Sequence, residues 1–145
     1  MLVEVKVKVA RLIDNKLRKR TETYLVPDCE LFVNAEHQVM NVLSEEQNSG
    51  IVDDYEIQSL RISPIKETCP QWYDASLPAF IATLQDIFHA DDGTEKTLKY
   101  KLLLWAENHS QALQRVQELA RQGYDMHIEG IKEVDYQYLT EEENE

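Results

Sequence analysis

Residues 32–46 read FVNAEHQVMNVLSEE, and residues 105–119 read WAENHSQALQRVQEL. Each sets an asparagine at the mouth of an apolar stripe. In the first, Ala35, Val39, Val42 and Leu43 share one helical face. In the second, Ala112, Val116, Leu119 and Ala120 repeat the same spacings. An asparagine side chain accepts a hydrogen bond from an orphan amide at a helix start, so Asn34 and Asn108 are the expected N-caps. Gln111, three residues after Asn108, comes close to a capping box. The first helix is expected to end near Asn48–Gly50 and the second at Gly123, where glycine accepts a left-handed cap.

Strands flank both helices. In the stretch 2–13, Val3, Val5, Val7 and Val9 point one way while Glu4, Lys6 and Lys8 point the other. Period-two alternation of β-branched residues predicts a half-buried strand. DNKLRKR suits a hairpin turn, and RTETYLVPDCELFV returns as a second strand. Pro27 cannot donate to a ladder, which places that strand at an edge or gives it a bulge. YEIQSLRISPI follows as a third strand. The order then recurs: AFIATLQDIFHA, a glycine-bearing turn DDGTEK, TLKYKLLLWA, the second helix and YDMHIEGIKEVDYQYL. The apolar phase slips between Ile57 and Leu60 and again between Ile128 and Ile131, where Gly130 suggests a bulge.

The expected fold is therefore α+β. Two pseudo-symmetric strand–strand–helix–strand repeats have antiparallel sheets, each carrying one helix. The first spans 1–67 and the second 78–139, with a connector at 68–77 and an acidic tail at 140–145. A unit of about 65 residues buries too little surface to be comfortable alone, so the repeats are expected to share a core in one compact domain. Trp72 and Tyr73 in the connector are expected to pack across that junction.

The first repeat's quoted stretches TETYLVPD and VNAEHQVM, with FIATLQDIFHADDGTEKTLKYKLLLWAENHSQAL and IEGIKEVDYQYL in the second, resemble the domain-of-unknown-function family 4494. Its members are small proteins of bacteria and their phages. They too begin with a basic hairpin, carry a tyrosine-leucine-valine strand and have a second hairpin with an acidic, glycine-bearing turn. The usual alanine-rich helix start is here VNAEHQ. The resemblance implies a phage or mobile-element setting. The family has no established activity to lend, and no catalytic residue carries over.

Composition narrows the function classes. The 145 residues are 43% apolar and 29% charged, which fits neither a membrane protein nor a disordered chain. No apolar run approaches the roughly 18 residues of a membrane span. The alternating start has no continuous apolar segment, so no leader is expected. Cys29 and Cys69 make no disulfide or metal framework and suit a reducing cytoplasm. The net charge is −12, yet residues 1–20 hold seven basic residues against Glu4 and Asp14. That basic segment is +5, leaving −17 for the rest.

Chemistry-bearing motifs are sparse. His37, His89, His109 and His127 stand singly, and the first-turn pair His37 and His109 is expected to be solvated. Four glycines cannot supply a phosphate-cradling loop. Carboxylate pairs such as Asp53–Asp54, Asp91–Asp92 and Glu45–Glu46 fall in expected turns or helix ends. No enzyme, cofactor, metal or membrane is expected. The candidate binding residues are Lys6, Lys8, Arg11, Lys16, Arg18, Lys19, Arg20 and Tyr24. The leading expectation is an interaction protein that binds a protein partner through sheet surface or edge. The alternative is a single-stranded nucleic-acid binder whose basic hairpin holds the backbone while Tyr24 stacks a base.

Overall fold

The computed structural model describes residues 1–121 and 127–139. It shows an α+β chain with two helices and two mixed sheets. The element order is β1 (Val3–Ile13), β2 (Lys16–Val26), α1 (Phe32–Asn48), β3 (Val52–Ile62), β4 (Ile65–Thr68), a 3-10 turn at Pro70–Trp72, β5 (Ala79–His89), β6 (Glu95–Trp105), α2 (His109–Arg121), β7 (His127–Val134) and β8 (Tyr136–Tyr138). The chain divides into two compact units, residues 1–63 with 136–139, and residues 64–135.

In the first unit the sheet order is β3-β1-β2-β8. The valine alternation works as expected: Val3, Val5, Val7 and Val9 are fully buried and face α1. Removing each from water contributes about 1.5–3 kcal/mol. Ala35, Val39 and Leu43 of α1 complete that core, with Tyr24 and Val26 from β2. The helix starts earlier than its asparagine suggested. Leu31 is the N-cap residue, and Asn34 sits one turn in, where its Oδ1 accepts the Leu31 N–H at 3.0 Å. The end is as expected: Gly50 takes φ +79° and donates to Gln47 O, and Ile51 donates to Glu46 O. That pair of bonds is a Schellman closure.

In the second unit the order is β4-β6-β5-β7. Phe80, Ala82, Leu84, Leu102 and Leu104 face α2, which contributes Ala112 and Val116. Asn108 caps α2 as expected. Its Oδ1 accepts the Gln111 N–H at 2.8 Å, while Gln111 Oε1 accepts the Glu107 N–H at 2.7 Å. Gly123 lies outside the described residues. Trp72 packs into this unit's core under the Arg115 guanidinium, 5.4 Å from the ring centroid, and Tyr73 meets Trp105 edge to face at 4.9 Å.

Both phase slips coincide with register shifts. One lies between Ser59 and Ile57 opposite Lys6 and Val7, the other between Gly130 and Ile128 opposite Thr83 and Leu84. An extra residue bends the strand and keeps apolar side chains on the core face on both sides of it.

Three features differ from the sequence reading. The sheets are mixed, because each gains a short parallel edge strand: β8 beside β2 and β4 beside β6. Parallel neighbours need a long connection, which the intervening chain supplies. The expected single closing strand breaks at Asp135, and its second part returns to the first sheet. Pro27 lies just past the end of β2, so it costs no ladder bond. The strand is flanked by β1 throughout and by β8 along Thr23–Leu25. The expected acidic tail, 140–145, lies outside the described residues. Among the described residues no helix is long and apolar enough to cross a membrane.

Candidate functional site

The basic hairpin is shaped by a turn shorter than DNKLRKR suggested. Only Asp14 and Asn15 form it, with φ of +52° and +63°. Positive φ at both central residues is the type I′ geometry, whose twist matches that of the flanking strands. Asp and Asn visit the left-handed region more readily than most residues do. Lys16, Arg18, Lys19 and Arg20 are consequently strand residues, and they do not form one cluster at a tip. Register assigns their faces. Arg18 and Arg20 stand opposite Arg11 and Val9 on the helix side, with Lys16 opposite Ile13. Lys19 stands opposite Ala10 on the other face, which carries Lys6 and Lys8. The eight candidates are thus split between two surfaces.

On the helix side, part of the charge is neutralised within the fold. Arg11 makes a two-pronged contact with Glu22, Nε donating to Oε2 at 2.6 Å and Nη2 to Oε1 at 2.7 Å. Its remaining prong, Nη1, donates to Glu46 at the end of α1. Arg20 Nε donates to Glu22 Oε2 at 2.7 Å, and the Tyr24 hydroxyl donates to Oε1 at 3.0 Å. Tyr24 is 2% exposed, so its ring has no free face for a base. Burial and the neighbouring Glu22 charge raise its pKa well above the ordinary phenol value. Arg11, with a side chain 13% exposed, is likewise committed to the fold. Glu22 and Glu46 were not among the expected site residues. For Glu22 the signal was parity: a two-residue turn places it on the same face as Arg11 and Arg20.

The Glu22 carboxyl is pushed up by burial, but hydrogen bonds from Arg11 and Arg20 outweigh this and hold it below its ordinary 4.5. A depressed folded pKa means that the contribution is present above the unfolded value and fades as pH falls through the lower folded one. Urea midpoints measured from pH 7 down to about 3 should therefore fall more steeply for the parent than for Glu22→Gln. Equal slopes would show that Glu22 titrates alike in both states.

The opposite face is charge-mixed. Lys8 faces Glu56 on β3, while Ala10 lies between Lys19 on β2 and Asp54 on β3. The small Ala10 side chain leaves an open depression of about 300 Å³, also lined by Leu17. Glu4, on the same face, is 3% exposed and paired with Arg61. A uniformly positive track for phosphates is therefore absent among the described residues of this face.

Elsewhere among the described residues the chemistry is quiet. Cys29 and Cys69 are buried free thiols. Burial raises both, Cys69 to about 11 with help from Glu67, so neither is an activated thiolate. His109 is exposed, but its Nε2 hydrogen-bonds Ile131 O at 3.2 Å and its ring lies edge-on to Phe80.

The family described as Domain of unknown function (DUF4494) matches residues 1–140 of the 145. The chain belongs to this family. No curated protein and no solved structure matches it. For DUF4494 the match therefore supplies membership without an activity, and the hairpin has to be read from its own chemistry.

Proposed function

We propose that this DUF4494 protein is a non-enzymatic interaction protein that binds a protein partner through the β1–β2 hairpin of its first sheet. A reducing cytoplasm, bacterial or phage-infected, suits its two free thiols. The observation that carries the reading is the outer half of β2. All residues from Lys16 to Thr21 are exposed, and Lys16, Arg18 and Lys19 have no ion pair among the described residues. A basic strip of this kind inside a chain of net charge −12 gives a partner a local feature to recognise.

A second reading, single-stranded nucleic-acid binding, is favoured by the alignment of Lys6, Lys8 and Lys19 on one face. It is weakened by Asp54 and Glu56 on that same face and by the burial of Tyr24.

One set of variants separates the two readings. The triple variant Lys16→Ala, Arg18→Ala, Lys19→Ala keeps every ion pair of the buried cluster. In quantitative cross-linking from host cells, a partner held saturably by the parent should be lost by the triple variant; equal recovery defeats the interaction reading. Labelled single-stranded DNA and RNA should show no saturable binding at about 50 mM salt. Binding that collapses by about 200 mM, through counterion release, would install the nucleic-acid reading instead.

A further inference from the structure

The edges of the first sheet are treated differently. On one side, β3 is an outer strand interrupted by two register shifts, opposite Lys6/Val7 and Ala10/Arg11. Bulges of this kind blunt an edge against other strands. On the other side, β2 pairs with β1 from Val26 to Lys16 without a shift. The short β8 covers only Thr23–Leu25 of its outer side. The stretch from Lys16 to Thr21 is left straight, proline-free and exposed.

The direction of its main-chain groups follows from two observations. Ile13 and Lys16 flank a two-residue turn, which makes them a mutually hydrogen-bonded pair. Even-numbered residues of β2 therefore bond to β1, and odd-numbered ones point outward. Leu25 agrees, because its carbonyl accepts the Leu139 N–H at 2.9 Å on the β8 side. Leu17, Lys19 and Thr21 thus turn their N–H and C=O groups away from β1.

Side chains set what could lie there. Lys16 and Arg18 flank the edge on the helix side. On the other face, Leu17 and its cross-strand neighbour Leu12 are 51% and 48% exposed, an apolar seat beside Lys19. Among the described residues, charge is the sole device guarding this edge; it repels a second basic edge and attracts an acidic one. The chain's overall −12 does not cancel this locally, since the Debye length is about 8 Å at physiological salt.

We propose that the β2 edge from Lys16 to Thr21 is a strand-addition site for an extended acidic segment of the partner protein, with carboxylates at alternate positions on the Lys16/Arg18 side and an apolar residue over Leu12 and Leu17. Main-chain bonds to Leu17, Lys19 and Thr21 supply affinity, and the alternating side chains supply selectivity. The inference rests on the interaction reading above and narrows it to one edge and one partner chemistry.

The test uses the full chain and a blocked eight-residue probe alternating glutamate with valine and threonine. Amide NMR and hydrogen exchange should show saturable binding that protects Leu17, Lys19 and Thr21 and leaves Arg18 and Arg20 unchanged, because those amides already bond to β1. The same probe N-methylated at alternate residues should bind at least about tenfold more weakly, the loss of one to two hydrogen bonds. Lys19→Pro should weaken the unmodified probe by a similar factor, since its N–H points outward and the β1 ladder is spared; Lys19→Gln should weaken it less. Absence of binding to the parent overturns the site, as does equal affinity for the N-methylated probe or protection spread over both parities. The N-methylated comparison on the parent decides the matter even if Lys19→Pro does not fold. Partner recovery lost in the triple variant but kept in Lys19→Pro removes the edge and leaves the interaction reading standing. Recovery kept in both removes both.

Discussion

Arg11→Met is expected to destabilise the protein by about 3 kcal/mol, and adding Glu22→Leu to it is expected to recover most of that loss. The asymmetry comes from the Glu22 carboxylate, which is 9% exposed and accepts from Arg11, Arg20 and Tyr24. Removing Arg11 deletes both prongs of the strongest contact and leaves a largely buried charge held by Arg20 and one hydroxyl. Breaking a buried pair from one side costs about 3–5 kcal/mol; the surviving Arg20 contact, on a side chain 50% exposed, holds the figure to the lower end. Removing both charges together abolishes the desolvation problem, since well-packed apolar residues of similar volume are often neutral or better. Glu46 is 29% exposed and can return to water once Arg11 is gone. Urea unfolding of parent, single and double variants provides the check. A double variant as unstable as the single one would mean that the cluster stabilises by geometry and not by mutual neutralisation. In either case the cluster joins β1, β2 and the end of α1, so Arg11, Arg20 and Tyr24 are read as structure, and Lys16, Arg18 and Lys19, which have no ion pair among the described residues, as surface.

That division shows where sequence reasoning reaches and where it stops. Alternating valines at Val3 to Val9 and the stripe Ala35, Val39, Leu43 were legible because one residue in two or in 3.6 must turn to the core. The slips at Ile57–Leu60 and Ile128–Ile131 were legible because a bulge shifts that period visibly. Asn108 was legible as a cap; Asn34 misled, because the same side chain can serve the helix start from one turn inside it. The strands β4 and β8, four and three residues long, carry too few residues for a period to show, and their pairing is set by distant chain. At the site, composition marked the basic residues correctly but could not divide them. That division depends on the Asp14–Asn15 turn, whose two residues lack the glycine that usually advertises type I′ geometry. Once the turn is shortened to two residues, parity alone puts Glu22 with Arg11 and leaves Lys19 on the other face.

The same question of parity in the second sheet has a larger energetic answer. Phe80→Ala is expected to cost about 3–5 kcal/mol, whereas Ile87→Ala should stay within about 0.5 kcal/mol. Both are large apolar residues in the β5–β6 hairpin, and hydropathy does not rank them. Register and burial do. Phe80 pairs with Leu104, is 2% exposed and packs with Ala82, Leu84 and Ala112 beneath α2. Deleting its ring leaves a cavity ringed by strand residues whose backbones are fixed by pairing to β6 and β7, so little collapse can offset the loss. Ile87 pairs with Thr97 on the opposite face towards the hairpin end and is 48% exposed, so truncating it opens no void. The strand AFIATLQDIFHA has isoleucines at Ile81 and Ile87 on the opposite parity, and Ile87 is 48% exposed; sequence alone left both faces open as the core. Equilibrium unfolding of the two alanine variants settles which face α2 covers. A small effect at Phe80 with a large one at Ile87 would require the sheet to be packed with the reverse parity, and would move the covered face, with its bulge at Glu129, to the other side.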